Sequence, residues 1–179
     1  MIQHPWHEVA NNFNSRTASV DGLIEIPKGS KAKYEVDKPS GLMRLDRVVF
    51  AAFVYPVNYG FIPQTLGDDG DPLDILVLSE VSILPGCLVK SRVLGYMQMN
   101  DTGKSDEKII AVAEGDMSVA HIQSMEELPE NFKQELKHFF SNYKTLMKKE
   151  VIVDEFKGCN EAMEIIESCI KRYQETFRK

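Results

Sequence analysis

The chain has 179 residues, of which 43% are apolar and 27% charged, and a formal net charge of −6. This balance describes one soluble globular domain, long enough to bury a real core. The acidic surplus speaks against a nonspecific nucleic-acid or membrane-surface binder, while leaving room for a small local basic pocket. No apolar run approaches the ~20 residues of a membrane span, and no charged-then-apolar signal opens the chain. The three cysteines, Cys87, Cys159 and Cys169, are odd in number and widely spaced. They read as packing residues in a reduced, cytoplasmic protein rather than as a disulfide or zinc framework.

Residues 20 to about 115 read as short strands broken by Gly and Pro turns. The candidates are Val20 to Ile26, Lys31 to Val36, Leu42 to Phe50, Leu73 to Leu78, Cys87 to Tyr96 and Lys108 to Ala113. Strands at such short intervals favour a small barrel or sandwich. From Pro129 onward the period changes. Phe132, Leu136, Phe139, Phe140, Tyr143, Leu146 and Met147 recur at three- and four-residue steps, the spacing of one amphipathic helix with Pro129 in its first turn. Asn160 is placed to cap a second helix, with Ala162, Ile165, Ile166, Cys169, Ile170, Tyr173 and Phe177 on its buried stripe. The expected organisation is a single domain over 1–179. Its barrel core spans about 20–115, and a helical region over about 125–179 packs outside.

The chemistry concentrates in Asp68-Asp69-Gly70-Asp71-Pro72-Leu73-Asp74, with the apolar Ile75-Leu76-Val77-Leu78 directly behind it. Four carboxylates in seven residues repel one another unless positive charge sits among them. A strand immediately after a Gly/Pro turn holds them on a rigid scaffold, and hard oxygen ligands so held suit Mg²⁺ or Ca²⁺. In Lys31-Ala32-Lys33-Tyr34-Glu35-Val36, the period of two puts Lys31, Lys33 and Glu35 on one face. Glu25 stands between Ile24 and Ile26, and Arg44, Asp46 and Arg47 mark the next strand. Taken alone, these are solvent-facing sides. Read as walls of a cavity, they offer carboxylates for cations and basic groups for phosphate oxygens. Tyr55 and Tyr59 lie four apart just before the acidic turn; Asp101, Asp106, Glu107 and Lys108 lie at the start of another strand; Tyr143 continues the stripe of the first helix, with Lys144 beside it. Each alone reads as packing or as a solvated flank.

Two other readings of the acidic run fail on pattern. An EF-hand loop requires Gly at its sixth position, where Asp74 stands, and a helix after it rather than a strand. A phosphatase with an Asp nucleophile has its apolar strand before the Asp-x-Asp pair, whereas here it comes after.

In this order, the segments resemble those of the soluble family I inorganic pyrophosphatases, from His4-Pro5-Trp6 to the C-terminal helix. Asp69-Gly70-Asp71-Pro72-Leu73-Asp74-Ile75 meets the signature Asp-x-Asp-Pro-apolar-Asp-apolar in full. Ile24-Glu25-Ile26-Pro27, Lys33-Tyr34-Glu35, Asp46-Arg47, Asn58-Tyr59-Gly60 and Phe139-Phe140 with Tyr143-Lys144 support it. The resemblance implies a mainly β fold with flanking α, a five-stranded closed OB-type barrel with two C-terminal helices packed outside. It implies Mg²⁺-dependent hydrolysis of pyrophosphate to two orthophosphates by direct attack of a metal-bridged water, without a covalent intermediate. By this likeness Asp69, Asp74, Asp101 and Asp106 are metal ligands and Glu25 reaches a metal through water. Asp71 is the general base, and Lys33, Arg47 and Tyr59 act on the reacting phosphates. Substrate binding falls to Lys33, Glu35, Arg47, Tyr59, Lys108, Tyr143 and Lys144, with Tyr55 in support. Several Mg²⁺ ions per site, tolerance of Mn²⁺ or Zn²⁺, inhibition by Ca²⁺, a homohexameric assembly, and no nucleic-acid or membrane partner complete the expectation. A non-catalytic OB-type module binding divalent metal or phosphate is the alternative. Lys104, Phe156 and Met147 depart from common family residues, and none removes a group assigned to chemistry.

Overall fold

The structure, a computed structural model, describes residues 4–101, 103–147 and 151–178. Among these residues, nine strands and two α-helices form in the order β1 (Ser19–Ile26), β2 (Ala32–Val36), β3 (Met43–Val48), β4 (Asn58–Phe61), β5 (Asp74–Leu78), β6 (Leu88–Asp101), β7 (Lys104–Ser105), β8 (Lys108–Ala113), α1 (Glu130–Asn142), β9 (Val151–Gly158) and α2 (Cys159–Phe177). The protein is mainly β, with β2 and β3 forming a separate two-stranded hairpin. In the main sheet the pairings run β1–β4, β4–β5, β5–β8, β8–β6 and back from β6 to β1. Among the described strands, β5 and β8 are the only parallel pair. Among the described residues, no helix is long and apolar enough to cross a membrane.

The central strands read as nearly unbroken apolar runs because both of their faces are covered. Leu76, Leu78, Ile110 and Val112 join Leu136, Phe139 and Phe140 of α1 in one core. Their neighbours Ile75, Val77, Ile109 and Ala111 turn the other way and pack on Ala162, Ile166 and Cys169 of α2. The alternation of Cβ directions along each strand thus divides one sheet between two helices. Burying this much apolar surface fixes the strand ends, and the strand ends carry the polar groups.

Several boundaries differ from expectation, each for a physical reason. β4 lies outside the expected strands, partly within the Pro- and Gly-marked segment that precedes the acidic turn. Gly60 lies so close to β1 that a Cβ on it would come 1.8 Å from the Leu23 carbonyl oxygen, so glycine here permits backbone approach. β9 is a further unexpected strand, with Val151 and Val153 buried and Ile152 and Asp154 exposed. It pairs with the far half of β6, which runs on to Asp101. α1 ends at Asn142 with Tyr143 as its C-cap, so the helix does not run on to Met147. Pro129 is the N-cap of that helix, one step outside its first turn. α2 begins at Cys159 behind Gly158 and no side chain caps it, so Asn160 is not the cap.

Candidate active site

A cavity of about 510 Å³ opens at one end of the main sheet, against the β2–β3 hairpin. β1 brings Glu25 to it, β2 brings Lys33 and Glu35, and β4 brings Tyr59. Asp69 and Asp71 come from the acidic turn, Asp74 from the first residue of β5, and Asp106 and Lys108 from the start of β8. Tyr143 and Lys144 line it from the end of α1.

The acidic turn is held from several sides. Gly70 adopts φ of +89°, which only a residue without Cβ takes easily. The Gly67 amide donates to the Asp71 carbonyl at 2.7 Å and the Asp71 amide to Asp69 Oδ1 at 3.0 Å. From α2, Arg172 donates to the Leu66 carbonyl at 2.7 Å and pairs with Asp68 at 2.7 Å. The Leu66 amide in turn donates to the Cys169 carbonyl at 3.0 Å. Four acids are therefore carried on a braced turn rather than a loose one.

Asp74 and Lys108 are register partners of the parallel β5–β8 pair. Lys108 is 2% exposed, and its Nζ lies 2.5 Å from Asp74 Oδ2 and 2.9 Å from Asp106 Oδ1. Tyr59 donates its hydroxyl to Asp74 Oδ2 at 2.5 Å. Burial works against the Lys108 ammonium, but Asp74 and Asp106 outweigh it and hold its pKa well above the ordinary lysine value. Burial pushes the Asp74 and Asp69 carboxyls up. Glu25 is pushed up to about 8 by burial, with Asp74 adding to the rise and the Val36 amide, donating at 2.7 Å, opposing it.

On the facing wall, Lys33 Nζ lies 2.9 Å from both Glu35 Oε2 and Asp46 Oδ2. Asp46 also accepts from Arg47 at 2.8 Å, so Arg47 joins the cavity's charge network without lining it. Tyr55 sits behind the wall, 2% exposed, with ring centroids 5.6 Å from Tyr59 and 4.8 Å from Phe139. The backbone of Asp101 pairs in register with Lys104. The side chains of both lie outside the described residues.

The structure thus gathers most of the expected residues around one space and adds Trp6 and Lys38, to which the sequence assigned no site role. Only a reading of the Asp37-Lys38-Pro39-Ser40-Gly41 turn as a mouth rather than a connection finds Lys38. Among the described residues, no group of three His, Cys, Asp or Glu side chains stands close enough together to hold one ion. The Lys108 ammonium lies between Asp74 and Asp106 instead.

Comparison with known proteins points to one family. The family model described as inorganic pyrophosphatase matches residues 22–174. Soluble inorganic pyrophosphatase 2 of Chlamydomonas reinhardtii is 43% identical over 174 residues, covering 97% of this chain and 90% of the relative. Soluble inorganic pyrophosphatase of Oryza sativa subsp. indica is 44% identical over 95% of this chain and 79% of its own length. Among solved structures, the inorganic pyrophosphatase from Thermus thermophilus superposes with a TM-score of 0.86 at 44% identity, covering 90% of this chain and 95% of that one. The Helicobacter pylori enzyme gives 0.88 at 40% identity, covering 93% and 99%.

Proposed function

The chain belongs to the inorganic pyrophosphatase family, and we propose that it hydrolyses inorganic pyrophosphate to two orthophosphates. The observation that carries this reading is one cavity in which Asp69, Asp71, Asp74 and Asp106 meet Lys33, Lys108, Lys144, Tyr59 and Tyr143. Pyrophosphate is a polyanion that repels nucleophiles, so catalysis consists of neutralising its charge and aligning a water.

The donor set fits Mg²⁺: all of it is carboxylate oxygen, drawn from the acidic turn and two adjacent strand ends. Asp69, Asp74, Asp101 and Asp106 would hold the ions, with Glu25 behind them. Several Mg²⁺ ions would supply charge neutralisation and a lowered water pKa, whereas the larger Ca²⁺ would align the site poorly and inhibit. Asp71 stands at the mouth, about half exposed, where a water can reach its carboxylate. It takes the proton as the water oxygen bonds to phosphorus and the bridging P–O bond breaks, with no covalent enzyme intermediate. Lys33, Arg47 and Tyr59 offset the negative charge that collects on the leaving phosphate. Lys108, Tyr143 and Lys144 grip the remaining oxygens, Glu35 orients Lys33, and Tyr55 supports Tyr59 and Tyr143 from behind.

We read the fold as a single domain built on a closed five-stranded OB-type barrel, supported by pairings that leave β1 through β4 and return to it through β6. A homohexamer is supported by the exposed apolar Leu42, Leu45, Val48 and Phe50 along the hairpin, with the His138 face of α1 as a further contact surface. Three free cysteines are consistent with a cytoplasmic setting.

The test is phosphate release from pyrophosphate with and without Mg²⁺, beside Asp71→Asn, with a nucleoside triphosphate as competing substrate. Rapid Mg²⁺-dependent release, lost in Asp71→Asn and barely affected by the nucleotide, is the expected result. Folded wild-type protein releasing no phosphate under Mg²⁺ or Mn²⁺ would leave a non-catalytic metal- or phosphate-binding module.

A further inference from the structure

Asp71 has one cationic partner that the family-derived roles leave unused. The Lys38 ammonium forms an ion pair with the Asp71 carboxylate across the mouth of the cavity, and both residues line it. We propose that Lys38 is a positioning residue for Asp71, holding the carboxylate toward the cavity so that one oxygen remains aimed at the attacking water. The proposal rests on the pyrophosphatase reading and extends it to a residue outside the metal- and phosphate-binding set.

An ion pair between half-exposed groups is ordinarily worth little, because both side chains lose rotamer freedom in forming it. Here the backbone on each side is held by its own turn, so the ordering cost is confined to the two side chains. Lys38 sits in a turn closed by the Asp37 carbonyl, which accepts from Ser40 at 3.2 Å and Gly41 at 2.7 Å. The Asp37 side chain braces the same turn, accepting from the Ser40 hydroxyl at 2.5 Å and from Arg44 at 2.8 Å. His4 Nε2 meets the Lys38 carbonyl at 2.8 Å, and the ammonium stands 5.8 Å from the centre of the Trp6 ring. Cation and ring attract at this range, which steers the lysine stem over the cavity rim. Asp71 is fixed in turn by the backbone bonds of its own braced turn. Two hydrogen-bonded turns, one on each side of the cavity, therefore meet at the Lys38–Asp71 contact.

The consequence is kinetic. A general base works only within hydrogen-bond reach of its water, and a small misplacement sacrifices much of its advantage. A residue that only positions the base changes turnover and leaves substrate affinity alone, whereas one that grips phosphate changes KM.

The experiment compares kcat and KM for pyrophosphate under saturating Mg²⁺ in the wild type, Lys38→Ala and Lys38→Arg. Thermal melting and the emission of Trp6, the chain's one tryptophan, report that each variant is folded. Lys38→Ala is expected to lose about tenfold in kcat with KM changed less than about twofold. Lys38→Arg, which keeps the cation, should recover to within about twofold of wild type. An unchanged kcat in Lys38→Ala, a rise confined to KM, or no recovery with arginine would each overturn the assignment. A folded wild type with no activity would refute the pyrophosphatase reading itself and take this inference with it, whereas an active wild type beside an indifferent Lys38→Ala refutes Lys38 alone.

Discussion

Replacing Lys108 with methionine isolates the most deeply buried charge of the site. The substitution keeps the length and apolar body of the stem and removes only the ammonium, so little packing is lost. What remains is Asp74 and Asp106 facing each other without the cation that lies 2.5 and 2.9 Å from them. Breaking a buried pair by removing one partner costs about 3–5 kcal/mol when the survivor stays dry. Asp74 and Asp106 are 22% and 17% exposed at the cavity wall, so water re-enters and the figure falls to about 2–3 kcal/mol. Each kcal/mol moves the midpoint of a chain this size by about 2–4 °C, so the metal-free variant should melt roughly 4–12 °C lower. The sign with pH is definite. The folded pKa of Lys108 lies above its ordinary value, so its contribution is complete at neutrality and disappears only as pH climbs past about 10.4. Melting by circular dichroism at pH 7 in chelator, then in excess Mg²⁺, is the assay. Added divalent cation should narrow the gap by binding the two freed carboxylates. Equal midpoints in chelator would mean that Lys108 does not offset the acids, and the account of the site's charge would fail.

Two further outcomes test the scaffold. Gly60→Ala should abolish soluble expression or cost about 4 kcal/mol or more, because its Cβ would lie 1.8 Å from a backbone oxygen of β1 that cannot rotate away; a stable, normally melting variant would contradict the close β1–β4 approach. Asp116 is held down to about 2 by the Glu80 amide at 2.7 Å, the Ser79 hydroxyl at 2.8 Å and the Ser118 amide at 2.9 Å. A depressed carboxylate contributes stability above about pH 3.9 and loses it as pH falls toward 2, so wild type should out-melt Asp116→Asn at pH 7 and the gap should close in acid. A gap unchanged between pH 7 and 2.5 would refute that bookkeeping.

What the sequence makes legible here is local. The acidic turn declares itself in seven consecutive residues, and the two amphipathic helices declare themselves by period. The strand faces bearing Lys33 and Glu35 are equally visible, but their destination is not. A period of two says that they share a side; only the hairpin's packing across the sheet end makes that side a cavity wall. β9 escapes notice because it lies between two helical patterns and is completed by pairing with β6, fifty or more residues earlier. The same limit hides Arg172, which reaches Leu66 from 106 residues away, and Lys38, which meets Asp71 across 33. Such contacts depend on which turns the topology brings together, and no short window of sequence contains that information.

The charge arrangement itself narrows the chemistry further than either half of it would. A site for phosphate alone needs cations and would be weakened by carboxylates beside them; a site for metal alone needs carboxylates and would be weakened by ammonium groups. This cavity holds both, and they neutralise each other: Lys108 with Asp74 and Asp106, Lys33 with Glu35 and Asp46, Lys38 with Asp71. Separating Lys108 from Asp74 and Asp106 leaves an uncompensated charge in a partly dry space, which is costly. The cost disappears only for a ligand that replaces both partners together, offering positive charge to the acids and negative oxygen to the bases. A metal-bound polyanion does that; a bare cation or a bare phosphate satisfies one wall and strands the other. Affinity for pyrophosphate and for divalent metal should therefore be mutually reinforcing, each measured more tightly in the presence of its partner.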